Sequence, residues 1–391
     1  MQVDVPHSLQ AFDFEPRTRL IFGNGSIGQL GQLAIPLGQR VLVVSDPGIV
    51  EAGHATTGIR SLESAGLNVS LFDGARENPT TENVEAGLQQ AREFQPDLIV
   101  GLGGGSSMDC AKGINFLHCC GGRMQDYWGV GKATADLLPM IAVPTTSGTG
   151  SEMQSFALIS DAETHVKMAC GDKRAACRVA ILDPELTLTQ PPQVTALTGI
   201  DAISHALETF VTTRRNPISS FFSKESWKLL SANFRTVLSE PDHLDARGGM
   251  LLGAALAGLA IENSMLGASH ALANPLTAHY ETPHGQAVGL MLPHVIRFNG
   301  AECGPLYADL WNQVQPVNPE QSGDHQPVND LADYVTQLVS AAGLATRLST
   351  LDVESNKLEQ LAEEASRQWT GGFNPRAVNT ENLLGLYRES Y

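Results

Sequence analysis

One carboxylate and three imidazoles in the second half of the chain could share a single cation. Asp201 and His205 stand four residues apart in a helical pattern, so both side chains would project from one helical face. His270 and His284 follow among small residues that would leave an imidazole accessible inside a packed helical domain. Singly, each residue would also fit a helix cap or an ordinary core or surface histidine. Together they form a nitrogen and oxygen ligand set that suits Fe²⁺ or Zn²⁺ and is poor for Ca²⁺ or Mg²⁺.

A glycine-rich turn at 103–109 has the composition of a phosphate-binding loop. It reads Gly-Gly-Gly-Ser-Ser-Met-Asp and follows an apolar run at 97–102. Ser106 and Asp109 have capping-box spacing, which predicts that a helix begins there with its free N–H groups directed at the loop. Three adjacent glycines would let a pyrophosphate approach that positively polarised helix end. An ordinary strand-to-helix turn is the alternative, but it would not need three glycines.

A second loop, Gly-Asn-Gly-Ser-Ile-Gly at 23–28, fits the G-x-G-x-x-G dinucleotide fingerprint literally. Arg17, Thr18 and Arg19 would, however, lie in what should be a buried central strand. We therefore predict an exposed or edge strand that ends in a glycine turn.

Two further polar segments follow predicted strands. A carboxylate at Asp46 could accept a hydrogen bond from a ribose hydroxyl and would repel a 2′-phosphate, which favours NAD over NADP. Asp-Pro-Gly at 46–48 is also good turn chemistry, so a turn or cap residue is an equal alternative. The loop at 144–152, Pro-Thr-Thr-Ser-Gly-Thr-Gly-Ser-Glu, offers hydroxyls to phosphate, ribose or amide. Loops at the carboxyl ends of parallel strands converge on the crevice where α/β folds bind ligands.

Short apolar runs alternate with helical patterns in the first half of the chain. The predicted strands are 40–45, 68–72, 97–102, 138–143 and 178–182. Such strands, separated by helices, indicate a parallel sheet covered on both faces.

Beyond residue 190 the periodicity is almost only helical. The predicted helices are 194–211, 219–238, 246–266, 286–299, 331–342, 353–369 and 380–389. A segment rich in Pro, Asn and Ser at 315–327 is predicted to be a surface loop. We therefore predict an α/β dinucleotide-binding domain over 1–188 and an all-helical domain over 189–391.

Composition excludes several classes of partner. A chain of 391 residues, 42% hydrophobic and 17% charged, is globular and long enough for two domains. Its net charge of −17 repels phosphate backbones and anionic lipids, so we expect neither nucleic acid nor a membrane surface as partner. The apolar stretch at 250–261 is too short and too glycine-rich to span a bilayer.

Two features bear on location. The six cysteines follow neither zinc-finger nor disulfide spacing, which fits free thiols in a reducing compartment. The first 16 residues lack the basic and apolar regions of a secretory signal. We expect a cytoplasmic protein.

Four motifs together resemble those of the iron-containing alcohol dehydrogenases. They are Gly-Gly-Gly-Ser-x-x-Asp at 103–109, Pro-Thr-Thr-Ser-Gly-Thr-Gly-Ser-Glu at 144–152, Gly-x-Asp-Ala-x-x-His-Ala-x-Glu at 199–208 and Thr-Pro-His-Gly at 282–285. The resemblance runs from Phe-Gly-x-Gly near residue 22 to Asn-Pro-Arg at 374–376. It implies a dehydroquinate synthase-like fold, with an α/β dinucleotide-binding domain of parallel strands followed by an all-α metal-binding domain.

The resemblance also implies roles for individual residues. Fe²⁺, or alternatively Zn²⁺, would be held by Asp201, His205, His270 and His284. The NAD contacts would be Asp46, Asn78, Gly104, Gly105, Ser106, Asp109, Thr145, Thr146, Thr149 and Lys167. The implied activity is reversible hydride transfer between nicotinamide and a small alcohol or carbonyl substrate, in a homodimer or larger homo-oligomer.

One position departs from the family pattern. Many members have a further histidine four residues after the third ligand, placed in the substrate site and proposed to relay protons. Here that position is Asn274, which cannot exchange a proton near neutral pH. His279, which we expect on a loop five residues later, is the candidate catalytic acid–base residue. An exposed helix or loop histidine is the alternative.

Several related activities remain open. They are a glycerol dehydrogenase-like enzyme, a maleylacetate reductase-like enzyme, a hydroxyacid–oxoacid transhydrogenase and a catalytically silent cofactor-binding protein. The complete Asp/His/His/His set argues against the maleylacetate reductases, which resemble the family without the full metal site. A transhydrogenase could tolerate Asn274.

Overall fold

The computed structural model describes residues 11–164, 166–314 and 326–391. Residues 1–10, which belong to the segment considered as a secretory signal, lie outside the described residues. The predicted loop at 315–327 also lies outside them, except for its last two residues. The strands are β1 Arg19–Phe22, β2 Arg40–Val44, β3 Asn68–Phe72, β4 Leu98–Gly103, β5 Gly129–Val130, β6 Met140–Pro144, β7 Phe156–Ser160, β8 Lys167–Gly171 and β9 Val179–Leu182. The α-helices are α1 Leu30–Ala34, α2 Pro47–Glu51, α3 His54–Ser64, α4 Thr81–Phe94, α5 Gly105–Cys120, α6 Pro192–Val211, α7 Pro217–Ser239, α8 Leu244–Glu262, α9 Ala268–Tyr280, α10 His284–Trp311, α11 Pro327–Ala341, α12 Leu358–Ser366 and α13 Thr380–Glu389.

A parallel sheet with the strand order β1-β9-β6-β4-β2-β3 forms the centre of the N-terminal domain. Every residue of β4 and β6 is buried, as expected for strands that are covered on both faces. All five predicted strands lie in this sheet, which confirms the predicted α/β class. The prediction of an edge strand before the first glycine turn is also confirmed, since β1 lies at the edge.

A smaller sheet of order β5-β8-β7 lies beside the main one and was not predicted. Its strands β7 and β8 are antiparallel, with Phe156 opposite Gly171. Because these strands alternate buried and partly exposed positions and include Lys167 and glycine, they lack the continuous apolar run used to identify the others. Phe156 and Leu158 of β7 and Lys167 of β8 line a cleft that residues of both domains form.

The C-terminal domain is helical, as predicted, and has two main apolar clusters. One surrounds Trp227 and Phe234 of α7, and the other joins α9, α10, α12 and α13 around Tyr387. Helix α8 is long and apolar enough for a membrane span, but 67% of that stretch is buried inside the domain, so it is a core helix.

Four helices differ from the predictions. Helix α9 was not predicted, because its small residues and the internal Pro275 obscure an apolar period. The predicted helices 246–266 and 353–369 are too long, because apolar residues continue into the turns that follow α8 and precede α12. Helix α10 extends to Trp311 with a non-helical Cys303 two residues before Pro305, whose ring disfavours the preceding helical turn.

Candidate metal centre and cofactor cleft

The four predicted metal ligands come together at one end of a cleft between the domains. Asp201 and His205 lie on α6, His270 lies in the first turn of α9, and His284 begins α10. The Nε2 atoms of His205, His270 and His284 lie 3.4, 3.7 and 3.7 Å from Asp201 Oδ1. In a tetrahedral site with metal–ligand distances of about 2.1 Å, neighbouring ligand atoms are roughly 3.4 Å apart. The ligand atoms of Asp201, His270 and His284 lie within 4.8 Å of one another, the spacing of ligands around one cation, and His205 lies beside this set through its contact with Asp201.

Three buried atoms of this cluster lack a hydrogen-bond partner among the described residues. They are Asp201 Oδ1, His205 Nδ1 and His270 Nε2. Because burying unpaired polar atoms costs free energy, the approach of His270 Nε2 to Asp201 Oδ1 at 3.7 Å fits a bound ion better than a structural role. The donor set and its burial are therefore compatible with Fe²⁺ or Zn²⁺.

The protonation states of Asp201, His205 and His284 suit a metal site, which needs ionised carboxylates and neutral imidazoles. Burial raises the pKa of Asp201, but His205 and the other two imidazoles hold it below its ordinary value. Burial lowers the pKa of His284 to about 3 and also lowers that of His205, so both rings are neutral at pH 7. His270 differs: burial favours its neutral form, but Glu208 and Asp201 raise its pKa to about 9. A cation would compete with the Nε2 proton of that ring.

Glu208 is a site residue to which the sequence assigned no role. Its Oε2 lies 2.5 Å from His270 Nδ1, and its Oε1 accepts a hydrogen bond of 2.6 Å from the backbone N–H of Ser269. Glu208 follows Asp201 and His205 on the buried side of α6, at positions i, i+4 and i+7. That stripe is the signal that could have identified it. A carboxylate in this position fixes the ring orientation of a metal-binding histidine.

The cleft has a volume of about 800 Å³ and is lined by both domains. The four cluster residues lie in its wall. The predicted nucleotide contacts that also line it are Asp46, Asn78, Gly104, Gly105, Ser106, Asp109, Thr145, Thr146, Thr149 and Lys167. The structure thus brings every predicted metal and cofactor residue into one cleft.

Helix α5 opens on this cleft, but it begins differently from the prediction. Its N-cap is Gly104, with no side-chain cap, so the predicted capping box of Ser106 and Asp109 is wrong. Asp109 is buried and accepts a hydrogen bond of 2.7 Å from Ser151 Oγ instead. A Cβ on Gly105 would lie 2.6 Å from the side chain of Thr149, so the loops at 103–109 and 144–152 pack closely. The N–H groups of the first turn have no partners within the helix.

Asp46 does two things in the structure. Its Oδ1 caps α2 by accepting from the backbone N–H of Ile49 at 3.1 Å, and its Oδ2 accepts from Ser107 Oγ at 2.9 Å. The cap alternative is therefore correct, while the same side chain also lines the cleft. Its contact with a ribose remains a prediction.

The glycine loop at 23–28 has a structural role. The backbone N–H groups of Gly25 and Ile27 each donate to a carboxylate oxygen of Asp183 at 3.0 Å. Donors paired in this way are not available to a pyrophosphate. No residue of 23–28 is among those lining the cleft, in keeping with the edge-strand interpretation.

Thr145 and Lys167, two other predicted NAD contacts, also line the cleft. Thr145 is 2% exposed, and its Oγ1 has no hydrogen-bond partner among the described residues. An unpaired buried hydroxyl in a cleft wall is available to a ligand. Lys167 Nζ donates to Asn78 Oδ1 at 3.4 Å across the cleft mouth.

His279 lies apart from the cleft lining. It occupies the last turn of α9 rather than a loop, and its Nε2 lies 2.7 Å from Glu364 Oε2. The side chain is 40% exposed. Asn274, one turn after His270, donates from Nδ2 to Gln368 Oε1 at 2.9 Å. This placement fits the alternative of an exposed helix histidine.

An α/β domain with a parallel sheet, joined to a helical domain that carries a His/Asp cluster in the cleft, is the arrangement expected of a metal-dependent oxidoreductase. Residues 16–184 match the family described as iron-containing alcohol dehydrogenase, and residues 195–391 match the family's C-terminal domain. Alcohol dehydrogenase 4 of Schizosaccharomyces pombe is 33% identical over 95% of this chain and 87% of its own length. The chain therefore belongs to the iron-containing alcohol dehydrogenase family, which confirms the resemblance.

Solved structures agree with this assignment. A crystal structure of 1,3-propanediol oxidoreductase superimposes with a TM-score of 0.94 at 32% identity, covering 98% of this chain and 100% of that one. A sulfoacetaldehyde reductase from Bifidobacterium kashiwanohense, solved in complex with NAD⁺, has a TM-score of 0.88 at 27% identity, covering 97% and 99%. The predicted fold is confirmed over both domains.

Proposed function

We propose that this chain is an NAD-linked, metal-dependent dehydrogenase that interconverts a small alcohol and its aldehyde or ketone. The observation that carries the proposal is the arrangement of three Nε2 atoms 3.4–3.7 Å from Asp201 Oδ1. That cluster shares one cleft with the glycine turn at 104–106. A metal that binds the substrate oxygen, beside a turn that binds the pyrophosphate of the coenzyme, is one arrangement that supports hydride transfer at an alcohol carbon.

Asp201, His205, His270 and His284 are the proposed metal ligands, with Fe²⁺ as the first choice and Zn²⁺ as the alternative. The family name and the nitrogen and oxygen donors support iron. When bound, such a metal supplies a Lewis acid that stabilises negative charge on a substrate oxygen. Glu208 would hold His270 in the orientation that directs Nε2 at the ion.

The proposed coenzyme is NAD. A related reductase has been solved with NAD⁺, and the cleft of this chain presents the open first turn of α5 together with the hydroxyls of Thr145, Thr146 and Thr149. These groups suit a pyrophosphate and its ribose neighbours. The carboxylate of Asp46 at the carboxyl end of β2 supports NAD rather than NADP.

The overall reaction is balanced by one hydride and one proton. An alcohol and NAD⁺ give a carbonyl compound, NADH and H⁺. Asn274 offers no titratable group, and His279 is paired with Glu364, so we assign the released proton to solvent in the cleft.

We also propose a domain boundary, a cellular location and an oligomeric state for this protein. The domain boundary at 188/189 falls between the 3₁₀ turn that ends at Thr187 and the start of α6. All six cysteines are free, which supports a reducing, cytoplasmic location. A homodimer or larger homo-oligomer is the expected assembly.

Metal analysis combined with NADH formation tests the proposal. Purified protein should contain close to one Fe or Zn per chain and should reduce NAD⁺ with short primary alcohols and diols. Asp201→Ala and His284→Ala should lose metal and nearly all turnover while circular dichroism stays unchanged. Asp333→Ala, at an exposed aspartate on α11, is the matched control. Full metal content with near-normal kcat in either ligand variant would contradict the ligand assignment.

The alternative activities give distinct results in the same assays. A transhydrogenase would interconvert a hydroxyacid and an oxoacid with only catalytic amounts of NAD. A silent cofactor-binding protein would bind NAD⁺ and form no NADH with any alcohol. Either result would overturn the proposed alcohol dehydrogenase activity.

A further inference from the structure

Two aromatic rings, one from each domain, stack on each other, and one of them lines the cleft. Phe156 begins β7 in the N-terminal domain and lines the cleft. Trp369 begins a 3₁₀ turn, Trp369–Phe373, in the helical domain. Their ring centroids are 6.2 Å apart with an interplanar angle of 28°, which is a stacked geometry. The Phe156–Trp369 pair is therefore a contact between side chains of the two domains.

The ring of Phe156 is held in place from its own domain. Gly171 lies opposite it in register, and a Cβ on Gly171 would lie 2.3 Å from Phe156 Cε1, so a larger residue there would displace the ring. The carbonyl of Phe156 accepts a hydrogen bond of 2.9 Å from the buried ammonium of Lys112. From the helical domain, Glu262 of α8 accepts a hydrogen bond of 2.9 Å from the backbone N–H of Ser155, the residue before Phe156. Backbone and ring are thus both fixed.

Trp369 is held by the helix that carries the third cluster residue. The preceding residue, Gln368, accepts a hydrogen bond from Asn274, which lies one helical turn, about 5.4 Å, beyond His270 on α9. At the other end of the turn, the carbonyl of Phe373 accepts from the backbone N–H of Thr213 at 2.9 Å. Anchoring at both ends keeps the indole over Phe156.

We propose that Phe156 and Trp369 form an aromatic wall that limits the length of the substrate, with Asn274 and Gln368 as positioning residues. This inference rests on the proposed alcohol dehydrogenase function and adds a substrate class to it. Phe156 lines the cleft, Trp369 stacks on it from the helical domain, and Leu158, on the same face of β7, continues the apolar surface of the cleft. A rigid apolar wall fits short, uncharged, unbranched alcohols and excludes longer chains.

Chain-length preference tests the wall. We would measure kcat/KM for primary alcohols from ethanol to octanol in wild type, Trp369→Ala and Phe156→Ala. In both variants the octanol-to-ethanol ratio should rise by roughly tenfold or more, because one methylene in an apolar pocket changes kcat/KM by about 10–200-fold. Metal content and the Kd for NAD⁺ should stay at wild-type values. Trp128→Ala, which removes another exposed tryptophan outside the cleft lining, is the control and should leave the ratio unchanged.

Two Gln368 variants test positioning. Gln368→Leu removes the acceptor for Asn274 and should move the ratio in the same direction by a smaller factor, mainly through KM. Gln368→Glu keeps an acceptor oxygen and should restore the wild-type ratio. Unchanged ratios in Trp369→Ala and Phe156→Ala, with an active wild type, would overturn the wall and leave the proposed function intact. A wild type that oxidises no alcohol would overturn the proposed function and the wall with it.

Discussion

Glu208 of α6 and His270 of α9 form a close buried pair, with Oε2 2.5 Å from Nδ1. The other ring nitrogen of His270 lies 3.7 Å from Asp201 Oδ1. Burial raises the pKa of Glu208, but His270 and the backbone N–H groups of Ser269 and Gly267 hold it below its ordinary value. The pair therefore consists of an ionised carboxylate and an imidazole whose Nδ1 carries a proton, which leaves Nε2 directed at the cluster.

Replacing Glu208 with Gln should weaken metal binding by about 10- to 100-fold, the range found for outer partners of metal-binding histidines. The amide is similar in size but carries no charge to favour the Nδ1–H tautomer. Titration with a chelator, followed by metal analysis, gives the affinity directly. Glu225→Gln, at an exposed site on α7, should bind metal like wild type. Equal affinity in the Glu208 variant would mean that the pair stabilises the fold only.

The sequence identified the cluster because its members have distinctive residue types and a helical spacing within α6. The stripe on α6 could have marked Glu208 as a site residue, but not its role, because its partner is 62 positions away and a contact between helices leaves no local periodicity. The same reason hid the Phe156–Trp369 contact. Helix α9 was missed because alanine and proline carry little amphipathic signal, and with it the helical setting of His279.

The main sheet was easier to predict, because fully buried parallel strands are continuous apolar runs. The capping-box error at Ser106 has a different origin. The spacing was correct for a cap, but Asp109 is diverted into a buried hydrogen bond with Ser151, which only the fold brings near. Local patterns fail where a tertiary partner competes for the same side chain.

Asp46→Asn should relax the preference for NAD over NADP. Asparagine can still cap α2 through its side-chain oxygen, so the substitution removes the charge without removing the cap. A charge about 5 Å from a 2′-phosphate in an effective dielectric of about 20 is worth at most ~3 kcal/mol. The NADP-to-NAD ratio of kcat/KM should therefore rise by roughly 10- to 100-fold.

Two comparisons complete the Asp46 experiment. Asp136→Asn, an exposed aspartate outside the cleft lining, should keep the wild-type ratio. Asp46→Ala removes cap and charge together and should also lower the free energy of unfolding by about 1 kcal/mol. A wild-type enzyme that uses NADPH more efficiently than NADH would show that Asp46 is not the ribose contact.

His279→Ala should leave kcat and metal content unchanged. The imidazole is partly exposed and contacts Glu364, and a surface contact of this kind contributes about 0.2–1 kcal/mol to stability. A double-mutant cycle with Glu364→Gln, followed by urea unfolding, measures that coupling. A large loss of kcat with metal retained would instead place His279 in a proton relay.

Replacing Gly258 or Gly385 with alanine should change the free energy of unfolding in opposite directions, although both residues lie inside helices. A Cβ on Gly258 of α8 would lie 2.3 Å from the carbonyl oxygen of Gly150, and one on Gly150 would lie 2.7 Å from Gly258 Cα. Both contacts are to backbone, which cannot rotate away, so Gly258→Ala should destabilise the protein by about 1–3 kcal/mol, the usual cost of overpacking.

Gly258→Ala should also weaken NAD⁺ binding. Gly150 adjoins Thr149 in the loop at 144–152, and the methyl group added at Gly258 would displace that loop. Gly385 of α13 has no atom within 4 Å of a built Cβ, so Gly385→Ala should stabilise the protein by ~0.5–1 kcal/mol through helix propensity alone. Urea midpoints and the Kd for NAD⁺ measured on both variants separate the effects. If Gly258→Ala gained stability like Gly385→Ala and bound NAD⁺ normally, the close packing of α8 on this loop would not control the cleft.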